Sequence, residues 1–217
     1  MNHVDLRLYA ILDPERTGGR PLDRLADAAA AGGATLLQLR DKNAGTRSFV
    51  ARARQVKAAL AGRIPLIIND RIDVALAAEA DGVHLGRDDM HPADARRLLG
   101  PEAIIGVTLK NNADLAVLDP ALVDYGCIGG VFATASKNNP DPPVGLAGLT
   151  SLRARAATSG LPVGAIAGID AGNAADVIAA GADGIAIISA LFMAEDVTSA
   201  ARQLRGLVEA ALSRRTR

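Results

Sequence analysis

Ala180-Gly181-Ala182-Asp183-Gly184-Ile185-Ala186-Ile187-Ile188-Ser189 decides the fold, because this run compresses a helix stop, an apolar strand and a backbone cradle into one short stretch. Gly181 marks the end of a helix, where a left-handed turn is cheap only for glycine. Asp183 and Gly184 lead into Ile185–Ile188, too short for a helix and apolar on both faces, as a buried parallel strand must be. Ser189 follows at the strand's carboxyl end. An α/β barrel keeps its chemistry there, and the loops after its last two strands often bind phosphate.

The same punctuation recurs along the chain. Ala31-Gly32-Gly33-Ala34 precedes the apolar run Thr35–Arg40, and Glu79-Ala80-Asp81-Gly82 precedes Val83–Gly86. Leu6–Leu12, Pro65–Asn69, Ala103–Val107, Val123–Gly129 and Pro162–Ala167 bring the strands to eight, with Ala-rich helical stretches such as Leu22–Ala31 and Ser48–Ala61 between them. Strands alternating with helices imply a parallel sheet with right-handed crossovers, and 217 residues suit a compact (β/α)₈ TIM barrel. The competing open sheet usually carries GxGxxG after its first strand, where this chain has Asp13-Pro14-Glu15-Arg16. No linker or composition shift divides residues 1–217, so one barrel domain is expected, with Ser213–Arg217 as a solvated, fraying helix end.

Composition excludes more than it specifies. Twenty-four basic and twenty-four acidic side chains cancel, so no global charge draws the chain to nucleic acid or an anionic membrane. With three Phe, two Tyr and no Trp, platforms for stacking bases are scarce. Cys127, the single cysteine, sits in an apolar strand and reads as a buried, inert thiol. The amino terminus lacks a signal-peptide pattern, and no apolar run reaches spanning length. A cytoplasmic location follows as the expectation, with homo-oligomerisation left open.

Polar residues gather where strands end. Alternation turns Gln38 and Arg40 to one face, inward if Leu37 and Leu39 face the helices. The third strand ends Asn69-Asp70, the fourth delivers Asp88-Asp89 beyond Gly86, and the fifth gives Thr108 and Lys110. Carboxylates on adjacent strand ends, with only oxygen ligands nearby, suit a hard cation better than zinc. Asp70 and Asp89 also fit helix N-caps, and Arg40, Asp41 and Lys42 fit a solvated ion-pair cluster. His84 alternates with Val83 and Leu85 and reads as a hydrogen-bonded interior histidine; His91 in its loop carries no signal.

The longest irregular stretch, Gly129–Gly145, is an expected active-site loop, with Thr134, Ser136 and Lys137 able to meet an anion. At the seventh and eighth strand ends, Gly168 and the amides of Ile188 and Ser189, placed at the start of the last helix, suit a phosphate. Tight packing explains Gly168 equally well.

Gln38-Leu39-Arg40-Asp41-Lys42, Ile68-Asn69-Asp70, Asp81–Asp89, Thr134-Ala135-Ser136-Lys137 and Gly181-Ala182-Asp183-Gly184 with Ile188-Ser189 together resemble the thiamine-phosphate synthase family. The resemblance runs from first strand to last, in order. It implies a (β/α)₈ transferase of thiamine biosynthesis. Such enzymes join 4-amino-2-methyl-5-hydroxymethylpyrimidine diphosphate to a carboxylated thiazole phosphate, releasing pyrophosphate and CO₂. It assigns Gln38, Arg40, Lys42, Asn69, Thr108 and Lys137 to the pyrimidine diphosphate, and Arg40, Lys42 and Lys137 to catalysis. Asp70 and Asp89 become Mg²⁺ ligands. Thr134, Ser136, Gly168, Ile188 and Ser189 hold the thiazole phosphate, and Leu39, Asp41 and Ala135 count among the substrate-contacting residues of their motifs.

Three positions depart from the family pattern. Lys110 stands where a histidine is usual, Ala133–Lys137 replaces PTxTK, and Ala165-Ile166-Ala167-Gly168-Ile169 replaces GIGGI. Serine for threonine keeps the hydroxyl, and each alanine in place of a glycine is expected to add only a tolerable methyl. Two other readings stay open: a thiazole tautomerase on the same barrel, and a non-catalytic binder of thiazole or thiamine phosphate. The first uses a histidine near the fifth strand and neither needs the metal carboxylates.

Overall fold

A computed structural model describes residues 4–134 and 142–215. Eight parallel strands close into a barrel in sequence order: β1 (Leu8–Leu12), β2 (Leu36–Leu39), β3 (Leu66–Asn69), β4 (Gly82–Leu85), β5 (Ile104–Leu109), β6 (Tyr125–Ile128), β7 (Val163–Ile166) and β8 (Gly184–Ile187), with β8 pairing back to β1. Every expected strand is present. The fifth runs on to Leu109, so Thr108 belongs to the strand itself.

Helices α1 (Leu22–Ala31), α2 (Thr46–Leu60), α3 (Ile72–Ala77), α4 (Pro92–Leu99), α5 (Asn112–Ala116), α6 (Gly145–Ala156) and α7 (Ala174–Ala179) lie between the strands. The outward strand residues, Leu37, Leu39, Ile68, Val83 and Ile105 among them, pack with helix residues such as Leu25, Phe49, Ala53 and Val56 in the large core. The inward residues form a second, smaller cluster of Tyr9, Ile11, Leu36, Ile67, Tyr125, Cys127 and Ala186, closed by Val4 and Leu6 from before β1. Strict alternation between two apolar environments makes these strands read as continuous hydrophobic runs.

At the amino ends of the strands one device repeats. The residue before each even-numbered strand accepts an early amide of the preceding odd strand, the first in β1, β3 and β7 and the second in β5: Thr35 Oγ1 from Leu8 (3.1 Å), Asp81 from Leu66 (2.7 Å), Asp124 from Ile105 (2.9 Å) and Asp183 from Val163 (2.9 Å). The backbone amides of the same residues return the bond to those strands. Each clamp satisfies a buried or half-buried amide near the start of its strand. Arg96 bonds Asp124, and Arg153 and Arg215 both bond Asp183.

Gly181 turns out of α7 at φ +110°, as its sequence context requires, and a Cβ there would press on Arg153. Past β8 the order differs from expectation. Ser189 opens a separate short helix, α8 (Ser189–Phe192), before the long α9 (Val197–Arg215). α9 buries Val197, Ala201, Leu204, Val208 and Ala211, a stripe of helical period, against α7, α1 and β1. Its end is not simply solvated: Arg215 reaches Asp183 at 2.9 Å and the Ala182 carbonyl at 2.8 Å. Among the described residues no helix is long and apolar enough to cross a membrane. Cys127 is buried inside the barrel, which pushes its thiol up to about 12.

Candidate active site

The carboxyl ends of the strands surround a cavity whose lining includes Gln38, Arg40, Asn69, Thr108, Thr134 and Ile188. Six residues singled out by the sequence, drawn from four strands or their ends and the loop after β6, therefore meet at one mouth. Lys110 joins them, two residues beyond Thr108 on the same inward face.

Arg40 is held from behind. Its guanidinium pairs with Asp13, which is almost wholly buried and also accepts the Glu15 amide at 3.0 Å to cap the turn after β1. Nothing local announces this role for Asp13, since an Asp-Pro pair is an ordinary turn signal; only the closure of β1 beside β2 brings it under Arg40. Lys42 at the rim pairs with Asp70.

Asp70 and Asp89 face one another across the β3–β4 rim. Burial, then the hydrogen bond with Asp89, raises Asp70 above the usual carboxylate range. Neither residue is a helix cap. The α3 N-cap position is Arg71, without a side-chain bond, and α4 is capped by His91, whose Nδ1 accepts the Ala93 amide at 3.2 Å. Asp89 instead folds back onto the Gly86 amide at 2.7 Å, an approach that a Cβ on Gly86 would crowd. Asp88 is exposed. Two mutually repelling carboxylates held together beside one lysine, with oxygen donors only, fit a hard divalent cation.

Two motif residues do not bring their side chains to the mouth. Leu39 packs outward among the helices, as the alternation with Gln38 demands. Asp41 pairs with Arg52 and accepts the amides of Asn43 and Ala44, so it shapes the β2–α2 loop and is not part of a cluster with Arg40 and Lys42. His84 is an interior residue, bonded through Nδ1 to Tyr125 and through Nε2 to Thr108.

A second, more open cavity adjoins the first, and its lining includes Thr134, Ala167, Gly168, Ile188 and Ser189. The amino end of the short helix α8 thus opens onto the mouth, a place where barrels often seat phosphate. Gly168 has φ +63°, and a Cβ on it would lie 2.5 Å from the Ala133 carbonyl and 2.7 Å from Phe132 Cβ. Packing against the β6 loop is therefore reason enough for glycine. Ala167 adopts φ +93°, so the alanine in this motif costs backbone strain as well as a methyl. The long loop is pinned at its base, where Val144 and Gly145 donate to Gly130 and Val131. Ala135, Ser136 and Lys137 lie outside the described residues.

A family model described as thiamine monophosphate synthase matches residues 8–191. The chain belongs to that family. It is 53% identical to the thiamine-phosphate synthase of Agrobacterium fabrum, across 99% of both chains, and 48% identical to that of Chloroflexus aurantiacus, across 94% of both. Among solved structures it is similar to a thiamine phosphate pyrophosphorylase from Pyrococcus furiosus, with TM-score 0.84 and 36% identity over 97% of this chain and 98% of the other. Membership in the thiamine monophosphate synthase family makes this barrel a transferase of thiamine biosynthesis.

Proposed function

We infer that the chain couples 4-amino-2-methyl-5-hydroxymethylpyrimidine diphosphate to a thiazole phosphate, releasing pyrophosphate and forming thiamine phosphate, with CO₂ lost when the thiazole is carboxylated. The observation that carries this reading is the convergence of Gln38, Arg40, Asn69 and Thr108 on one cavity, with Asp70, directly after Asn69, paired to Lys42 and bonded to Asp89. A tautomerase or a simple binder of thiazole phosphate has no use for that rim.

Asp70 and Asp89 are the residues that would hold Mg²⁺, and the ion would supply charge neutralisation to the departing diphosphate. Arg40, fixed by Asp13, and Lys42 meet the negative charge that grows as the C–O bond to diphosphate breaks; Lys137 adds a third cation from the loop. The bonding pair leaves with pyrophosphate, and the pyrimidine-methyl cation is stabilised by its own amino group. The thiazole nitrogen attacks with its existing lone pair, so no side chain has to act as base. Gly168, Ile188, Ser189, Thr134 and Ser136 hold the thiazole phosphate beside the cation, and positioning supplies the rest.

Purified protein given both substrates and Mg²⁺ should release pyrophosphate and form thiamine phosphate. Replacing the pyrimidine methyl by trifluoromethyl should slow single-turnover coupling by about 10²-fold or more, since it withdraws electrons from the forming cation. Coupling insensitive to that change would overturn the dissociative step. Thiazole isomerisation without any pyrimidine substrate would establish the tautomerase instead.

A further inference from the structure

The loop between β1 and α1 is tied to two parts of the mouth that lie far apart in sequence. At its start Asp13 holds Arg40. Near its end the half-buried Arg20 reaches the other way, to carbonyls just beyond β8: Nη2 donates to Phe192, and Nη1 to Ala194 at 2.9 Å and to Glu195 at 3.5 Å, across 172 to 175 residues of chain. Nε donates to the Thr17 carbonyl at 2.9 Å inside the loop, which orients the guanidinium from behind. Thr17 is itself buried, and its hydroxyl donates to the Pro14 carbonyl at 3.0 Å. Gly18 and Gly19, at φ +63° and +76° with open space around them, supply the left-handed turn that brings Arg20 back toward β8.

The element that Arg20 grips is α8, a single turn whose four residues advance about 6 Å. A lone turn has too few internal hydrogen bonds to hold itself in place. Leu191 and Phe192, both buried, fix its apolar side, and Arg20 fixes its carbonyl end. The last carbonyls of a helix have no amide of their own helix to accept, and a cation there also meets the negative end of the peptide dipoles. At the opposite end Ser189 lines the second cavity with Thr134 and Gly168. In so short an element, displacing one end displaces the other.

We propose that Arg20 is a positioning residue for the thiazole half of the site: by fixing the carbonyl end of α8 it sets where Ile188 and Ser189 meet the thiazole phosphate. The proposal rests on the reading above that the second cavity takes that phosphate. Arg20 lines neither cavity, so it acts through α8 alone. The two ends of the loop then serve different halves of the reaction, Asp13 the diphosphate through Arg40 and Arg20 the thiazole phosphate through α8. A brace for general stability would serve both alike.

The test is equilibrium binding of two probes, which keeps the chemical step out. Titration calorimetry measures thiazole phosphate, and separately Mg²⁺ with pyrophosphate, on the unmodified protein, Arg20→Met, Arg20→Lys and Asp13→Asn. Arg20→Met should weaken thiazole phosphate by about tenfold or more and leave Mg²⁺-pyrophosphate within about twofold. Arg20→Lys keeps the charge, but one nitrogen cannot span three carbonyls, so its thiazole phosphate affinity should fall between the other two. Asp13→Asn retains an oxygen for the Glu15 amide while losing the ion pair with Arg40, and should show the opposite split between the probes. Thiazole phosphate affinity unchanged in Arg20→Met, or a loss shared equally by both probes in either variant, overturns the proposal. If Arg20→Met does not fold, the same split in Arg20→Lys decides. Failure of the unmodified protein to bind thiazole phosphate would count against the assigned function itself, and the proposal would fall with it.

Discussion

Ala167 shows how much a single methyl can mean. At φ +93° its Cβ is crowded by its own backbone, and the conformation is kept because the Ala167 carbonyl accepts the Phe132 amide at 3.1 Å, tying β7 to the loop after β6. Ala167→Gly removes that strain at the cost of a more flexible unfolded chain, and the first effect is the larger. A net gain of about 1 kcal/mol is expected in urea unfolding. At the rim, Asp70→Ala or Asp89→Ala should lower Mg²⁺-dependent turnover by ~100-fold or more while leaving thiazole phosphate affinity nearly unchanged, because under the proposed assignment each would remove a metal ligand and no phosphate contact. Near-normal turnover of either variant at limiting Mg²⁺ would remove the metal assignment.

The barrel's elements are joined in pairs at their amino ends, and the clamps differ in how deeply they are buried. Asp124 is 2% exposed and holds both the Ile105 amide and Arg96, whose guanidinium also gathers the carbonyls of Gly100, Ala103 and Leu122. Asp124→Ala leaves the half-buried Arg96 without its counter-charge and a buried strand amide without its acceptor, so a loss of about 3–5 kcal/mol is expected. Asp183 binds two arginines but its side chain is 25% exposed, so water can replace part of what Asp183→Ala removes. Its loss should be smaller, about 1–3 kcal/mol. Chemical denaturation of both variants checks the order. The reverse order would show that the pairing to α9 through Arg215 matters more than burial.

For the molecule as a whole, the site draws on strands scattered through the sequence, so a ligand bridging them should stabilise the closed barrel. Mg²⁺ with pyrophosphate at about 100 times its dissociation constant should add ~2.7 kcal/mol to the unfolding free energy. In Asp89→Ala the Mg²⁺-dependent part of that gain should vanish while any gain from thiazole phosphate persists. An equal Mg²⁺ effect in the variant would place the ion elsewhere.

The chain's own order of residues determined a good deal. Eight apolar runs separated by helical stretches allow little but a barrel, since each strand must be buried on both faces and each crossover must return to the same side. Alternation put Gln38 and Arg40 on one face and Leu39 on the other, and the packing of Leu37 and Leu39 among the helices makes the first face the inward one. Tertiary structure decided what depends on closure between distant segments: Asp13 beneath Arg40, Tyr9 against Tyr125, Asp70 against Asp89, and Arg215 on Asp183. No local pattern announces these contacts. A side chain's periodicity tells which face it occupies, but its partner is set by the register of strands and helices far away in the chain.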